Sequence, residues 1–171
     1  THIENIAAIG TIAGHELGHS IDDTGSKYDW NGRLIEWLPA LDRTKFRERA
    51  AKFEAQFNQL GHDGSLTLGE NIGDHVGLRA SYHMAFADMQ IVSSKKPKQV
   101  RATKKEQDQK KLFFISYAKV WCSKFRPSFE ESYLKVDPHA LPEARVNAQI
   151  IHMNGFYDAF GCTAKDKMFL A

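Results

Sequence analysis

Gly14-His15-Glu16-Leu17-Gly18-His19 decides how the rest of this 171-residue chain is read. On an α-helix, residues four apart lie one turn apart on one face, so His15 and His19 can both reach a single metal ion. Glu16, one position round, projects toward the open side of that pair. Two imidazoles with a carboxylate between them form the H-E-x-x-H pattern of zinc-dependent peptide hydrolysis. In that chemistry zinc acidifies a bound water and the carboxylate acts as general base.

The flanking residues predict a helix over Thr1 to Ile21. Thr1 and Glu4 form a T-x-x-E capping box, Ile6, Ile9, Ala13 and Leu17 an apolar stripe, and Asp22-Asp23-Thr24-Gly25 the stop signal. A catalytic zinc needs a third protein ligand and an open fourth position. Glu70, in Thr67-Leu68-Gly69-Glu70-Asn71-Ile72-Gly73-Asp74, is the candidate, and Asp74 follows it by one turn. Asp74 is then placed to accept the free ring N–H of a zinc histidine, His15 first. Without the upstream motif, Thr67 and Glu70 would read as a capping box alone.

Gly10, Gly14 and Gly18 recur every four residues in the first helix, and Gly69, Gly73 and Gly77 in the second. Each costs about 1 kcal/mol of helix propensity relative to alanine, so the pattern predicts two helices in close backbone contact.

H-E-x-x-H followed by Gly69-Glu70-Asn71-Ile72-Gly73-Asp74 resembles the neprilysin and endothelin-converting-enzyme family of zinc metallopeptidases. The resemblance continues through Phe113-Phe114-Ile115-Ser116-Tyr117-Ala118-Lys119-Val120-Trp121-Cys122, Arg126-Pro127, Val136-Asp137-Pro138-His139 and Arg145-Val146, over nearly the whole chain. It implies that His139 is the histidine that stabilises the transition state, that Asp137 orients and charges it, and that Arg145 binds a substrate backbone carbonyl. Taken without the family, Asp137 and His139 are an ordinary loop pair. Ala140-Leu141 replaces the family's usual Ser-Pro, and Gly73 a usual alanine.

Family members are several times longer and carry upstream an edge strand that holds the substrate backbone. No such strand is found here, so the chain is expected to be a single catalytic subdomain, residues 1–171, from the C-terminal part of a longer protein. The missing N-terminal region is then a partner, as is the peptide substrate. The family favours an extracellular, cell-surface or periplasmic location, or an intracellular one for a microbial member. A catalytically incomplete zinc-binding fragment, serving as an interaction domain, is the alternative.

Cys122 and Cys162 are too few for a disulfide scaffold; they could pair with each other, stay as thiols, or bond outside this segment. The family's cysteines in these contexts bridge to the N-terminal region. Its C-x-x-W ending and the usual partner cysteine near Lys52 are both absent, implying a member without that crosslink.

The remaining sequence is supportive. A net charge of +2 makes no general case for nucleic acid. Residues 95 to 111 carry eight lysines or arginines against Glu106 and Asp108, but without interleaved aromatics they read as a solvated loop and helix start, not a nucleic-acid module. No apolar run is long enough to span a membrane, and no membrane contact is expected from this segment. Asp29-Trp30-Asn31-Gly32 is a turn, with Arg33 to Trp37 a short strand beside it. Phe46, Ala50, Phe53, Phe57 and Leu60 make the core face of a helix from about 40 to 60, followed by a turn at Gly61-His62-Asp63-Gly64. The Glu70 helix runs to about Gln90, and its His75 and His83 read as ordinary helical histidines. Thr103 and Glu106 cap a helix to about Lys124, with Phe113, Tyr117, Val120 and Trp121 inward. Pro142 opens a final helix ending near Gly161. The expected fold is mainly α, like the C-terminal half of a thermolysin-like metallopeptidase with at most a short β-hairpin.

Overall fold

The computed structural model describes residues 1–94 and 103–170, the side chains of 88–94 excepted. The first eight residues of the basic stretch, 95–102, therefore lie outside the described residues. Helix dominates the described residues, and no strand occurs among them. The expected strand at Arg33 to Trp37 reduces to one isolated antiparallel bridge between Tyr28 and Leu34. Its turn does form: the Gly32 N–H donates to the Asp29 carbonyl at 2.9 Å, with Gly32 at φ +73°.

Three helical pieces follow one another without a break: α1 (His2–Asn5), a π-helical turn (Ile6–Gly10) and α2 (Thr11–Gly18). Thr1 closes the expected capping box with Glu4. The expected apolar stripe, however, is not the buried face. Ile9 and Leu17 are 68% and 75% exposed, whereas Ile6, Ala7, Thr11, His15 and Gly18 are buried. The π turn is the physical reason. Its wider winding carries the inward side from Ile6 to Thr11 rather than to Ile9, so small and polar residues face the protein.

The other helices are α3 (Ala40–Gln59), α4 (Leu68–Ser94), α5 (Lys104–Val120), α6 (Pro127–Val136), α7 (Pro142–Ile150) and α8 (Asn154–Phe160). α2 lies along α4 in the most extensive helix contact among the described residues. A methyl group on Gly14 would stand 2.9 Å from Gly77 Cα, and one on Gly18 3.0 Å from Gly73 Cα. The two backbones therefore touch along the glycine ridges. Gly10 is outside this contact, since a methyl there meets only Ile6 and Asn5 of the preceding turn, at an ordinary 3.5 Å or more.

The main core joins Ile6 and Ala7 to Leu78, Tyr82 and Phe86 of α4, Phe113 and Tyr117 of α5, and Phe156 of α8. Each such large side chain fully removed from water contributes about 1.5–3 kcal/mol. A smaller cluster holds Phe57 of α3 against Ala140, Ala144 and Ala148.

Three expected edges shift. Leu60 and Val120 face solvent, because each lies where its helix ends and the chain turns away. The final helix is two helices, broken by a turn at 151–153 that redirects Phe156 into the main core.

α3 ends in a Schellman turn: the His62 N–H donates to the Phe57 carbonyl at 3.1 Å and the Gly61 N–H to that of Asn58 at 3.1 Å, with Gly61 at φ +84°. Asp63 then takes over. Its carboxylate accepts the Ser65 and Leu66 N–H groups, at 3.0 and 2.9 Å, just before α4 begins. The Thr67 hydroxyl donates to the Asp63 carbonyl and accepts from Asn71, so no capping box with Glu70 forms.

Candidate metal centre

The glycine contact brings α2 close enough to α4 for short side chains to meet. His15, His19 and Glu70 each offer a ligand atom, all within 4.8 Å of one another. His15 Nε2 is 3.1 Å from Glu70 Oε2, and His19 Nε2 is 3.7 Å from Glu70 Oε1. Despite these short distances, Glu70 Oε2 is buried with no hydrogen bond directed at it. An orphaned carboxylate oxygen facing imidazole nitrogens fits a cation as its missing partner, and two histidines with one glutamate are a zinc-type donor set. Glu16 lies on the exposed side of α2, beside His15.

Behind this group lies a second layer of charge. His15 Nδ1 pairs with Asp74 Oδ1 at 2.9 Å. The same carboxylate accepts two bonds from Arg145, Nε to Oδ2 and Nη2 to Oδ1, both at 2.7 Å. Asp74 and Arg145 are both buried, and the guanidinium lies 3.8 Å over the Trp121 ring. Nη1 is left uncommitted to Asp74. Burial works against charge on His15, but Asp74 and Glu70 more than offset it and raise its pKa to about 9. Burial likewise works to raise Glu70, yet His15, His139 and His19 outweigh it and hold the carboxyl below its ordinary range. This compact set of opposite charges favours a cation between the imidazoles and Glu70.

His139 reaches the same place from another part of the chain. Its Nε2 is 3.0 Å from Glu70 Oε2, while Asp137 Oδ1 sits 2.9 Å from both its ring Nδ1 and its backbone N–H. Burial pushes the Asp137 carboxyl up, but these His139 contacts prevail and lower it.

Seven of the eight residues singled out in the sequence are linked by these contacts: His15, His19, Glu70, Asp74, Asp137, His139 and Arg145; Glu16 is exposed and makes none of them. Two other residues were passed over. Asp22, read only as part of a stop signal, holds His19 Nδ1 at 2.7 Å and is itself fixed by the N–H groups of Thr24 and Gly25. The available signal was a carboxylate three residues beyond a ligand histidine. His62, read only as a turn residue, accepts the Leu141 N–H on Nε2 at 2.9 Å. No local pattern marks a contact across so much sequence.

His75 packs its ring against Phe53 and His152, with Nδ1 3.2 Å from Gln149 Oε1. Burial, reinforced by His152 and Arg79, lowers its pKa to about 4. Cys122 is a free, exposed thiol and Cys162 a free, partly buried one. None of the described helices is long and apolar enough to cross a membrane.

Known proteins are similar to this chain along nearly its whole length. The family model of Peptidase family M13 matches residues 1–171. An endothelin-converting enzyme homolog of Locusta migratoria is 35% identical over 169 residues, covering 96% of this chain and 23% of the relative. Human membrane metallo-endopeptidase-like 1 is 33% identical over 166 residues, covering 92% and 21% respectively. Among solved structures, Mycobacterium tuberculosis zinc metalloprotease ZMP1 in complex with an inhibitor superposes with a TM-score of 0.82 at 32% identity, over 100% of this chain and 27% of that one. PepO from Lactobacillus rhamnosis superposes with a TM-score of 0.83 at 27% identity, over 100% and 25%. The chain thus spans about a quarter of the length of such relatives, and it belongs to peptidase family M13.

Proposed function

We propose that the protein hydrolyses peptide bonds with one zinc ion per chain held by His15, His19 and Glu70. The observation that carries this reading is the convergence of those three ligand atoms around a buried carboxylate oxygen with no hydrogen bond of its own. When bound, zinc supplies a Lewis acid that polarises the scissile carbonyl and acidifies water.

The chain's own residues supply the rest. Glu16 takes a proton from the attacking water on its carboxylate and later returns one to the leaving amine. His139 donates from Nε2 to the developing oxyanion, and Asp137 orients its ring and balances its charge. Arg145 offers Nη1 to a substrate backbone carbonyl while Nε and Nη2 stay on Asp74. Asp74 fixes the His15 ring so that Nε2 faces the metal position. Residues 1–171 form one catalytic subdomain on this reading, with the substrate gripped in part by sequence outside it. The human relative is named for its likeness to a membrane metallo-endopeptidase, and a cell-surface or extracellular setting belongs to this reading.

The test is Glu16→Gln in the zinc-loaded full-length protein that carries this chain. Zinc should stay near one per chain while turnover of a quenched-fluorescent peptide falls about 10²–10⁴-fold. Retained turnover would rule out Glu16 as the base. Zinc near zero in the unmutated protein would rule out the metal assignment.

A further inference from the structure

The short stretch between His139 and the start of α7 has no proposed metal ligand and no secondary structure, yet it sets where His139 and, through α7, Arg145 stand. Two contacts hold it. The Ala140 methyl is fully buried against the Phe57 cluster, and the Leu141 N–H donates to His62 Nε2 at 2.9 Å. Leu141 is also the residue from which α7 starts, its carbonyl accepting the Arg145 N–H at 3.0 Å. One peptide unit away from that carbonyl, His62 is the anchor.

His62 is itself built in. The Schellman turn at the end of α3 presents it, its ring packs edge-on against Phe57 with centroids 6.0 Å apart, and it is 8% exposed. Accepting on Nε2 requires that nitrogen to be unprotonated, so the ring proton sits on Nδ1, which is buried and has no well-formed hydrogen bond. Burial lowers the ring's pKa, which agrees with the neutral form. A buried imidazole with one nitrogen unpaired is a poor choice for stability alone, since a leucine would fill the space without that cost. Its one well-formed side-chain hydrogen bond is to the segment that carries His139.

We propose that His62 is a positioning residue for the reaction set out above, fixing the 139–141 segment through the Leu141 N–H and so holding His139 Nε2 at the metal centre. The inference rests on the proposed role of His139. It assigns to the α3–α4 turn a part in catalysis exerted through another residue, about one hydrogen bond removed from the chemistry.

The experiment compares H62L, H62N and H62Q in the zinc-loaded full-length protein, each alone and combined with H139L. Zinc content and melting temperature are measured beside kcat and KM for a quenched-fluorescent peptide. Glutamine can set its Oε1 where Nε2 stood; the asparagine carbonyl is one bond short, and leucine has no acceptor. H62L and H62N should lower kcat about tenfold or more, with KM little changed and zinc near one per chain, and H62Q should restore most of kcat. In the H139L background the same changes should cost nothing further. Loss of equal size with and without His139, kcat kept by H62N, or no rescue by H62Q overturns the proposal. Should H62L fail to fold, the H62N and H62Q pair decides. If H139L is itself fully active, the reading of His139 falls and this proposal with it; if H139L is impaired and H62N is not, only the role of His62 falls.

Discussion

The α2–α4 contact and the segment from Asp137 to Arg145 deliver side chains to one place by different means. In the first, the placement is local. His15 and His19, or Glu70 and Asp74, are set by a spacing of four on a helix, and glycines at the same spacing bring the two helices together. In the second, no periodicity operates, and position depends on a few separate long-range anchors: the paired bonds from Arg145 to Asp74 and the bond from Leu141 to His62. A repeated device tolerates the loss of one element better than a set of separate anchors. The comparison therefore predicts different responses to mutation in the two regions.

The largest structural effect should come from Asp74→Asn, which strikes both regions at once. It leaves the buried Arg145 guanidinium without its ionic partner and His15 Nδ1 without its carboxylate, and should cost about 3–5 kcal/mol in denaturant unfolding. Zinc affinity should also fall about 10–100-fold, measured by competition with a chelating dye. A loss below 1 kcal/mol would mean that the two regions are not tied together through Asp74.

Acid should come next. His75 titrates near 4 folded and near 6.5 when exposed, so between those values the unfolded chain binds more protons. Stability is then complete above pH 6.5 and declines as pH falls toward 4, by up to about 3 kcal/mol from this group. His75→Gln should flatten that decline in urea melts taken across the window.

Gly77→Ala follows. The added methyl would overlap the Thr11 carbonyl and lie 2.7 Å from the His15 backbone nitrogen, neither of which can move without shifting α2. The expected cost is about 1–3 kcal/mol, with weakened zinc binding. Gly10→Ala is the control with the smallest effect. With only an ordinary contact at 3.5 Å, it should be neutral or stabilising by less than about 1 kcal/mol, and a large loss there would contradict the packing account.

The same contrast explains what could be read from the sequence. Helix existence was legible because capping boxes at Thr1 and Thr103, and core positions such as Ala50, Phe57, Phe113 and Tyr117, are local signals. The grouping of His15, His19, Glu70, Asp74, Asp137, His139 and Arg145 was legible because their motifs are. The inward face of the first helix was not legible: a π turn leaves no periodic trace, and Ile9 and Leu17 looked like core. Nor was His62, whose partner lies 79 residues away. The break between α7 and α8 was hidden for a related reason, since Ile150 and Met153 keep a helical spacing across it.

The π-helical turn at Ile6–Gly10 also bears on how this chain can change in length. A π turn holds one residue more than an α turn over about the same rise, so Thr11 comes round above Ile6 at a spacing of five instead of four. Deleting one residue there would let the helix rewind as regular α with Thr11 still on the side of Ile6, and Gly14 and His15 would keep their places against α4. The same deletion within α2, where no wide turn absorbs it, would rotate everything after it by about 100° relative to everything before. The loss of a residue from Ile6–Gly10 should therefore be tolerated far more readily than the loss of one between Thr11 and His15.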